Sequence, residues 1–280
     1  MGQYYMIVDV DKKEYISPWT YDCGAKLLEW GYIVSDGSAN SFVSAFNYLL
    51  EHRWKGDRVY VVGDYADIDY KNNGSEFDVH SMVLGKLFGD GGVGGSISVM
   101  GETCDNYEDA KKVIESKRPV DDSIADYQLV LACLYEEFAD YELSLYALAS
   151  EKFTEIDLTE IASDIFKSVP CEWDKSRTVV DGKYKAPRYL CNSELEKCYD
   201  LHSLPVEWEL ENRGSVSIYP LAILLSMGNG QGGGDYHDCY PDFDLSGTWC
   251  RYTRGIFFSD EVPEGYDVLT SNFTERQAVT

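Results

Sequence analysis

Short β-rich runs crowd the two ends of this 280-residue chain and helical periodicity fills its middle, a division that restricts the fold to a mixed one. Residues 3 to 16 alternate in the manner of a strand pair: Tyr4 to Val8, a polar connection from Asp9 to Lys13, and Glu14-Tyr15-Ile16 returning, which predicts a hairpin. Gly24 to Trp30 predicts a short helix stopped by Gly31. In Ser41 to Trp54, Phe42, Ala45, Phe46, Leu49 and Leu50 recur at helical spacing, with Ser38 or Ser41 to cap the start. Arg58 to Val62 follows as a strand, and Ser96 to Met100 and Gly255 to Phe258 are further strand candidates.

Between residues 107 and 168 the pattern predicts helices over Glu108 to Lys117, Ser123 to Ala149 and Leu158 to Ser168, with Pro119 and Pro170 as punctuation. Tyr219 to Met227 is apolar, with Pro220 suited to a first helical turn and Gly228 to an end, which predicts a short buried helix. The expected architecture is α+β (or α/β): a mixed sheet from residues 1–102 and 171–280, with a helical insertion or lobe over 103–170. An internal echo accompanies it, in which helix, Trp54, Arg58, strand and Asp64 are paralleled by helix, Trp249, Arg254, strand and Asp260.

Charge narrows the partners. With 49 acidic and 24 basic residues the chain carries −25, a field that repels nucleic acid and anionic lipid. The acids are dispersed and form no tail, which suits either a solvated surface or one built for a basic protein partner. Twenty-two tyrosines, among them Tyr65, Tyr70, Tyr236 and Tyr240 beside acids, fit a recognition surface as well as a core. The N-terminal residues have no secretory pattern and the longest apolar stretch, Ile218 to Met227, is too short to span a bilayer, so the expected location is the cytoplasm. The eight cysteines form no CxxC pair, and most are expected as free thiols there.

The most unusual stretch is Gly228 to Asp244, GNGQGGGDYHDCYPDFD. Gly230, Gly232, Gly233 and Gly234 let a ligand approach main-chain N–H groups, and with Asp235, Tyr236, Asp64 and Tyr65 they make up the candidate binding loop. No cofactor is expected; the alternative is a divalent metal held by Asp235, His237 and Asp238. A tight structural loop explains the same residues. Cys191, Cys198 and His202 have spacing open to a zinc site, against a plainer reading as core thiols. Asp64, Asp67 and Asp69 fail the register of a calcium loop, and Gly89 to Ser96 lacks the lysine of a phosphate loop.

Met1 to Tyr5 (MGQYY), Lys13-Glu14-Tyr15 with Pro18, Gly24 to Trp30 (GAKLLEW), Gly56 to Asp67 (GDRVYVVGDYAD) and the GNGQGGGDY loop together make the chain resemble a family of uncharacterised bacterial and phage proteins. Here the GNGQGGGDY loop lies near the C-terminus instead of ahead of the GDYAD strand. The resemblance implies no established activity and carries over no catalytic residue. The leading functional expectation is a non-catalytic acidic protein that binds a basic partner, in its concrete form a phage-type inhibitor of a host defence or nucleic-acid-processing enzyme acting in the host cytoplasm. The enzymatic alternative stays open as a metal-dependent hydrolase using the Asp/His cluster. A homo-oligomer is compatible with either.

Overall fold

The computed structural model describes residues 3–21, 23–30, 32–33, 38–39, 41–66, 84, 86–88, 96–117, 133–134, 144–156, 166–170, 178–182, 187–201, 208–210, 214–216, 219–227 and 247–269. In chain order the strands are β1 (Tyr5–Asp9), β2 (Glu14–Ile16), β3 (Tyr32–Ile33), β4 (Ser38–Ala39), β5 (Val59–Gly63), β6 (Ile97–Val99), β7 (Glu102–Cys104), β8 (Thr154–Glu155), β9 (Phe166–Pro170), β10 (Thr178–Gly182), β11 (Tyr189–Asn192), β12 (Lys197–Asp200), β13 (Trp208–Leu210), β14 (Gly214–Val216), β15 (Ser226–Met227), β16 (Ile256–Ser259) and β17 (Asp267–Leu269). The α-helices are α1 (Ser41–Glu51), α2 (Tyr107–Lys117), α3 (Leu145–Lys152) and α4 (Pro220–Leu224). The fold is mixed α/β, with strands from both ends of the chain in one sheet and helices in the central region. By compactness the chain forms two units, Met1–Asp64 with Phe153–Thr280, and Tyr65–Lys152. The boundaries expected from sequence fall at 103 and 170 instead.

In the first unit the main sheet runs β15-β5-β1-β2-β8. β1 pairs antiparallel with β2 and β5, whereas β15 joins β5 and β8 joins β2 in parallel. Tyr5, Ile7, Ile16, Val59 and Val61 point into one core cluster, and the intervening Met6, Val8, Tyr60 and Val62 are buried as well. Burial on both faces explains why YMIVD and VYVVG read as nearly unbroken apolar runs instead of alternating ones.

α1 fills the same cluster. The helical stripe of Phe42, Ala45, Phe46, Leu49 and Leu50 is buried as expected, but so are Val43, Ser44 and Asn47, so the helix is enclosed on almost every side. Its polar interior is satisfied locally: the Tyr219 hydroxyl donates to Asn47 Oδ1. The chain leaves α1 through Trp54, whose backbone N–H donates to the Leu49 carbonyl at 2.7 Å, and it leaves α4 toward Trp249, whose N–H donates to the Leu224 carbonyl at 3.0 Å. Both tryptophans enter the cluster, so the two halves of the sequence echo meet in one core, although the strands that follow them lie in different sheets.

A second sheet, β16-β11-β12-β17, has the β11–β12 hairpin at its centre. The helix expected over Leu158 to Ser168 is corrected at its end: Phe166–Pro170 is strand β9, paired antiparallel with β10 so that Ser168 faces Val180. The β-branched neighbours Val169, Val179 and Val180 favour the pleated ladder, and the pairing across a separate segment overrides local helical spacing.

The second unit contains the β6–β7 hairpin, whose two-residue turn Met100-Gly101 takes φ of 49° and 84°, the all-positive combination of a type I′ turn. α2 follows, started by Asn106, whose Oδ1 accepts the Asp109 N–H at 3.1 Å. Glu108 and Asp109 in its first turn and Lys117 in its last complement the helix dipole.

The β1–β2 turn contains an unusual carboxylate. Asp9 Oδ1 accepts the N–H groups of Asp11 and Lys12, both at 2.9 Å, while Oδ2 is buried with no hydrogen-bond partner. Burial pushes the Asp9 carboxyl above the ordinary range, outweighing the Lys12 hydrogen bond. A folded-state pKa above the unfolded value means that Asp9 penalises folding at neutral pH, and the penalty is relieved as pH falls through the raised pKa. Asp9→Asn keeps the turn acceptor and removes the charge. It is expected to be more stable than the parent by about 1 kcal/mol at neutral pH, an advantage that vanishes below about pH 4, read by urea unfolding at each pH.

Candidate protein-binding face

At the start of β1 the ladder register places Tyr5 opposite Gly63, so the next residues outward, Tyr4 and Asp64, also face each other. The Tyr4 N–H donates to Asp64 Oδ1 at 3.0 Å, and the Asp64 N–H donates to the Tyr4 carbonyl at 2.8 Å. A side chain at Gly63 would meet Gln3 Oε1 at 2.4 Å and the Met227 carbonyl at 3.2 Å, so glycine lets these segments close. Strand alternation then turns Tyr5 into the core and Tyr4 outward, 43% exposed.

Trp19 completes the feature. The short 3-10 turn Pro18–Tyr21 follows β2 and holds Trp19 at 59% exposure, with its ring edge-on to Tyr4 and the centroids 5.6 Å apart. Pro18 begins this turn, and the Cys23 N–H closes it onto the Pro18 carbonyl at 3.1 Å. Beside it Glu155 of β8 accepts hydrogen bonds from the Thr20 and Tyr15 hydroxyls. Burial, the Glu155 charge and its hydrogen bond all raise the Tyr15 phenol, so Tyr15 stays a neutral donor. The result is an exposed aromatic pair flanked by two carboxylates. Aromatic side chains with a polar surround are what protein interfaces use as anchors.

Of the residues singled out from sequence, Asp64 sits in this face and Tyr65, next along the chain, is 44% exposed. Gly230, Gly232, Gly233, Gly234, Asp235 and Tyr236 lie outside the described residues, as do His237 and Asp238. Sequence reasoning missed Tyr4 and Trp19. The available signal was a tryptophan placed directly after Pro18 in a turn, where no apolar periodicity calls for one.

Among the described residues no group of three His, Cys, Asp or Glu side chains is placed to hold a metal ion. The zinc and free-thiol readings of Cys191 and Cys198 are both corrected: the two face each other across β11 and β12 with Cα atoms 4.1 Å apart and form a disulfide. Their spacing of seven is that of a short hairpin. His202 lies outside the described residues. None of the described helices is long and apolar enough to cross a membrane.

No family model matches the chain, and no curated protein or solved structure matches it.

Proposed function

We propose that this chain is a non-catalytic binding protein that engages a basic protein partner through the Tyr4–Trp19 face. The observation that carries the reading is Trp19: an indole 59% exposed and braced edge-on by Tyr4, with Asp64 bonded to the Tyr4 N–H and Glu155 to the neighbouring Thr20 hydroxyl. Leaving so large an apolar group in water is unfavourable, and covering it against a partner removes that cost. The −25 charge steers a cationic partner toward the surface and makes association salt-sensitive. In the concrete form suggested by the family resemblance, the partner is a host defence or nucleic-acid-processing enzyme whose positive groove receives this face. The metal-dependent hydrolase rests on Asp235, His237 and Asp238 and gains no support from the described residues.

Trp19→Ala tests the proposal. The variant is expected to keep the parent's unfolding midpoint and to bind the partner about 2 kcal/mol more weakly, roughly 30-fold. The partner is captured on immobilised protein from bacterial lysate at low salt, eluted with high salt, purified and titrated against parent and variant. Equal affinity for both would remove the face from the argument.

A further inference from the structure

The disulfide of the second sheet lies on the side turned away from the main core. Strand register puts Phe258, Leu190, Tyr199 and Leu269 in one row across the four strands, and all four belong to the core cluster or pack against it. The neighbouring row, Phe257, Cys191, Cys198 and Val268, therefore points to the opposite face. Both cysteines are 0% exposed, although Val268 at the end of their row is 40% exposed.

The chain crosses this face. β16 and β17 run in the same direction at opposite edges of the sheet, because β11 is antiparallel to both β16 and β12 while β17 is parallel to β12. Residues 260–266 must then recross the whole sheet between Ser259 and Asp267. Ser259 Oγ donates to the Glu261 carbonyl at 2.6 Å where the segment leaves β16, and the Asp267 N–H donates to the Glu196 carbonyl at 2.9 Å where it lands. Just before landing, the Tyr266 N–H closes a turn onto the Pro263 carbonyl at 3.2 Å, with Gly265 at φ 85°. Tyr266 precedes Val268 by two residues and so shares the disulfide face. Its ring stands edge-on to Phe257 with the centroids 6.2 Å apart. Three strand spacings, about 14 Å, separate β16 from β17, so rings from the two edges that come this close meet over the central strands, where Cys191 and Cys198 lie.

We infer that residues 260–266 are a strap over a reversible redox lock: the Phe257–Tyr266 contact opens to let a thiol reductant reach the Cys191–Cys198 bridge, and reduction then releases β17. The reductant is a dithiol. One of its thiolates attacks a cysteine sulfur, the S–S bond breaks, and the other cysteine leaves as a thiolate that takes up a proton. The reductant's second thiolate displaces the first cysteine, which is protonated in turn, so the protein gains two electrons and two protons and the reductant becomes a disulfide. The thiols stay opposed afterwards, because the hairpin turn is held without the sulfurs. Asn192 Oδ1 accepts the Glu194 and Leu195 N–H groups at 3.0 and 3.3 Å, and Asn192 Nδ2 donates to the Tyr252 carbonyl at 2.8 Å. What loosens most is β17, which among the described residues pairs with β12 alone, whereas β16 also places Ile256 in the core cluster and packs Phe258 against it.

Reduction of the folded full chain by dithiothreitol, stopped by alkylation and read by intact mass over a series of urea concentrations below the unfolding transition, tests this. Tyr266→Ala is expected to speed reduction about tenfold in the absence of urea, the effect of losing one edge-on aromatic contact. Tyr266→Phe keeps the ring and is expected to match the parent. In both parent and Tyr266→Ala the rate is expected to depend on urea far less steeply than global unfolding does, as a local opening requires. Hydrogen exchange of the reduced parent is expected to rise over residues 260–269 and to stay unchanged in β1 and β5, and oxidised glutathione is expected to restore both the mass and the protection. A parent without the bridge, equal rates for parent and Tyr266→Ala, reduction that tracks global unfolding across the urea series, exchange that rises as much in β1 as in β17, or a bridge that does not re-form each overturns the inference.

Discussion

Trp54→Ala is expected to lower the unfolding free energy by about 3–5 kcal/mol, read as a large fall in the urea midpoint followed by tryptophan fluorescence. Trp54 is fully buried in the main core cluster, and its indole N–H donates to Glu14 Oε2 at 3.0 Å. Truncation opens a cavity where α1 gives way to β5. It also takes one donor from a carboxylate oxygen that Arg53 Nε shares at 2.9 Å. A domain of ordinary stability has only about 5–15 kcal/mol in total, so much of it is lost with this side chain. Trp54→Phe keeps most of the packing and drops the N–H bond. Its cost is expected to be less than half that of Trp54→Ala, and an equal cost would show that the hydrogen bond outweighs the volume.

Removing the Cys191–Cys198 disulfide by the double change Cys191→Ala, Cys198→Ala is expected to cost about 2.5 kcal/mol, the loop-closure entropy of so short a hairpin. β11 and β12 form the centre of their sheet, with β16 on one side and β17 on the other, so loosening the hairpin weakens both outer pairings. Reductant is expected to move the parent's urea midpoint toward that of the variant and to leave the variant unchanged. Intact mass of the non-reduced, denatured protein after alkylation gives the independent check. Alkylation of all eight cysteines without reductant would show the bond is absent.

The two acid-sensitive groups of carboxylates act in opposite directions. Asp11 and Glu14, held low by their arginines, contribute stability that is present above the ordinary carboxylate range and lost as pH falls through their depressed values. Asp9 does the reverse, so acid unfolding of the Asp9→Asn variant isolates the first effect.

Much of the secondary structure was legible locally. The hairpin from β1 to β2, helix α1, strand β5, helix α2 and the Pro220–Leu224 helix follow from periodicity, turn residues and caps within each segment. Where a second segment decides, the reading failed. Phe166 to Ser168, the first part of β9, reads locally as the end of a helix because its partner β10 is not adjacent in pattern, and Cys191 and Cys198 suggest ligand spacing because seven residues also span a tight hairpin. Trp19 was overlooked because exposure is a property of what fails to pack against a side chain, and one segment does not record that.

The short β-rich runs at the ends of the chain, the helical centre and the −25 charge were determined by sequence alone, since periodicity and ionisable groups belong to each segment regardless of its neighbours. Tertiary structure alone decided that Arg58 and Arg254 share Asp11 and that Tyr4 braces Trp19. Those meetings depend on strand register and core packing between segments up to 243 residues apart, and no local pattern encodes which distant surface a side chain will find.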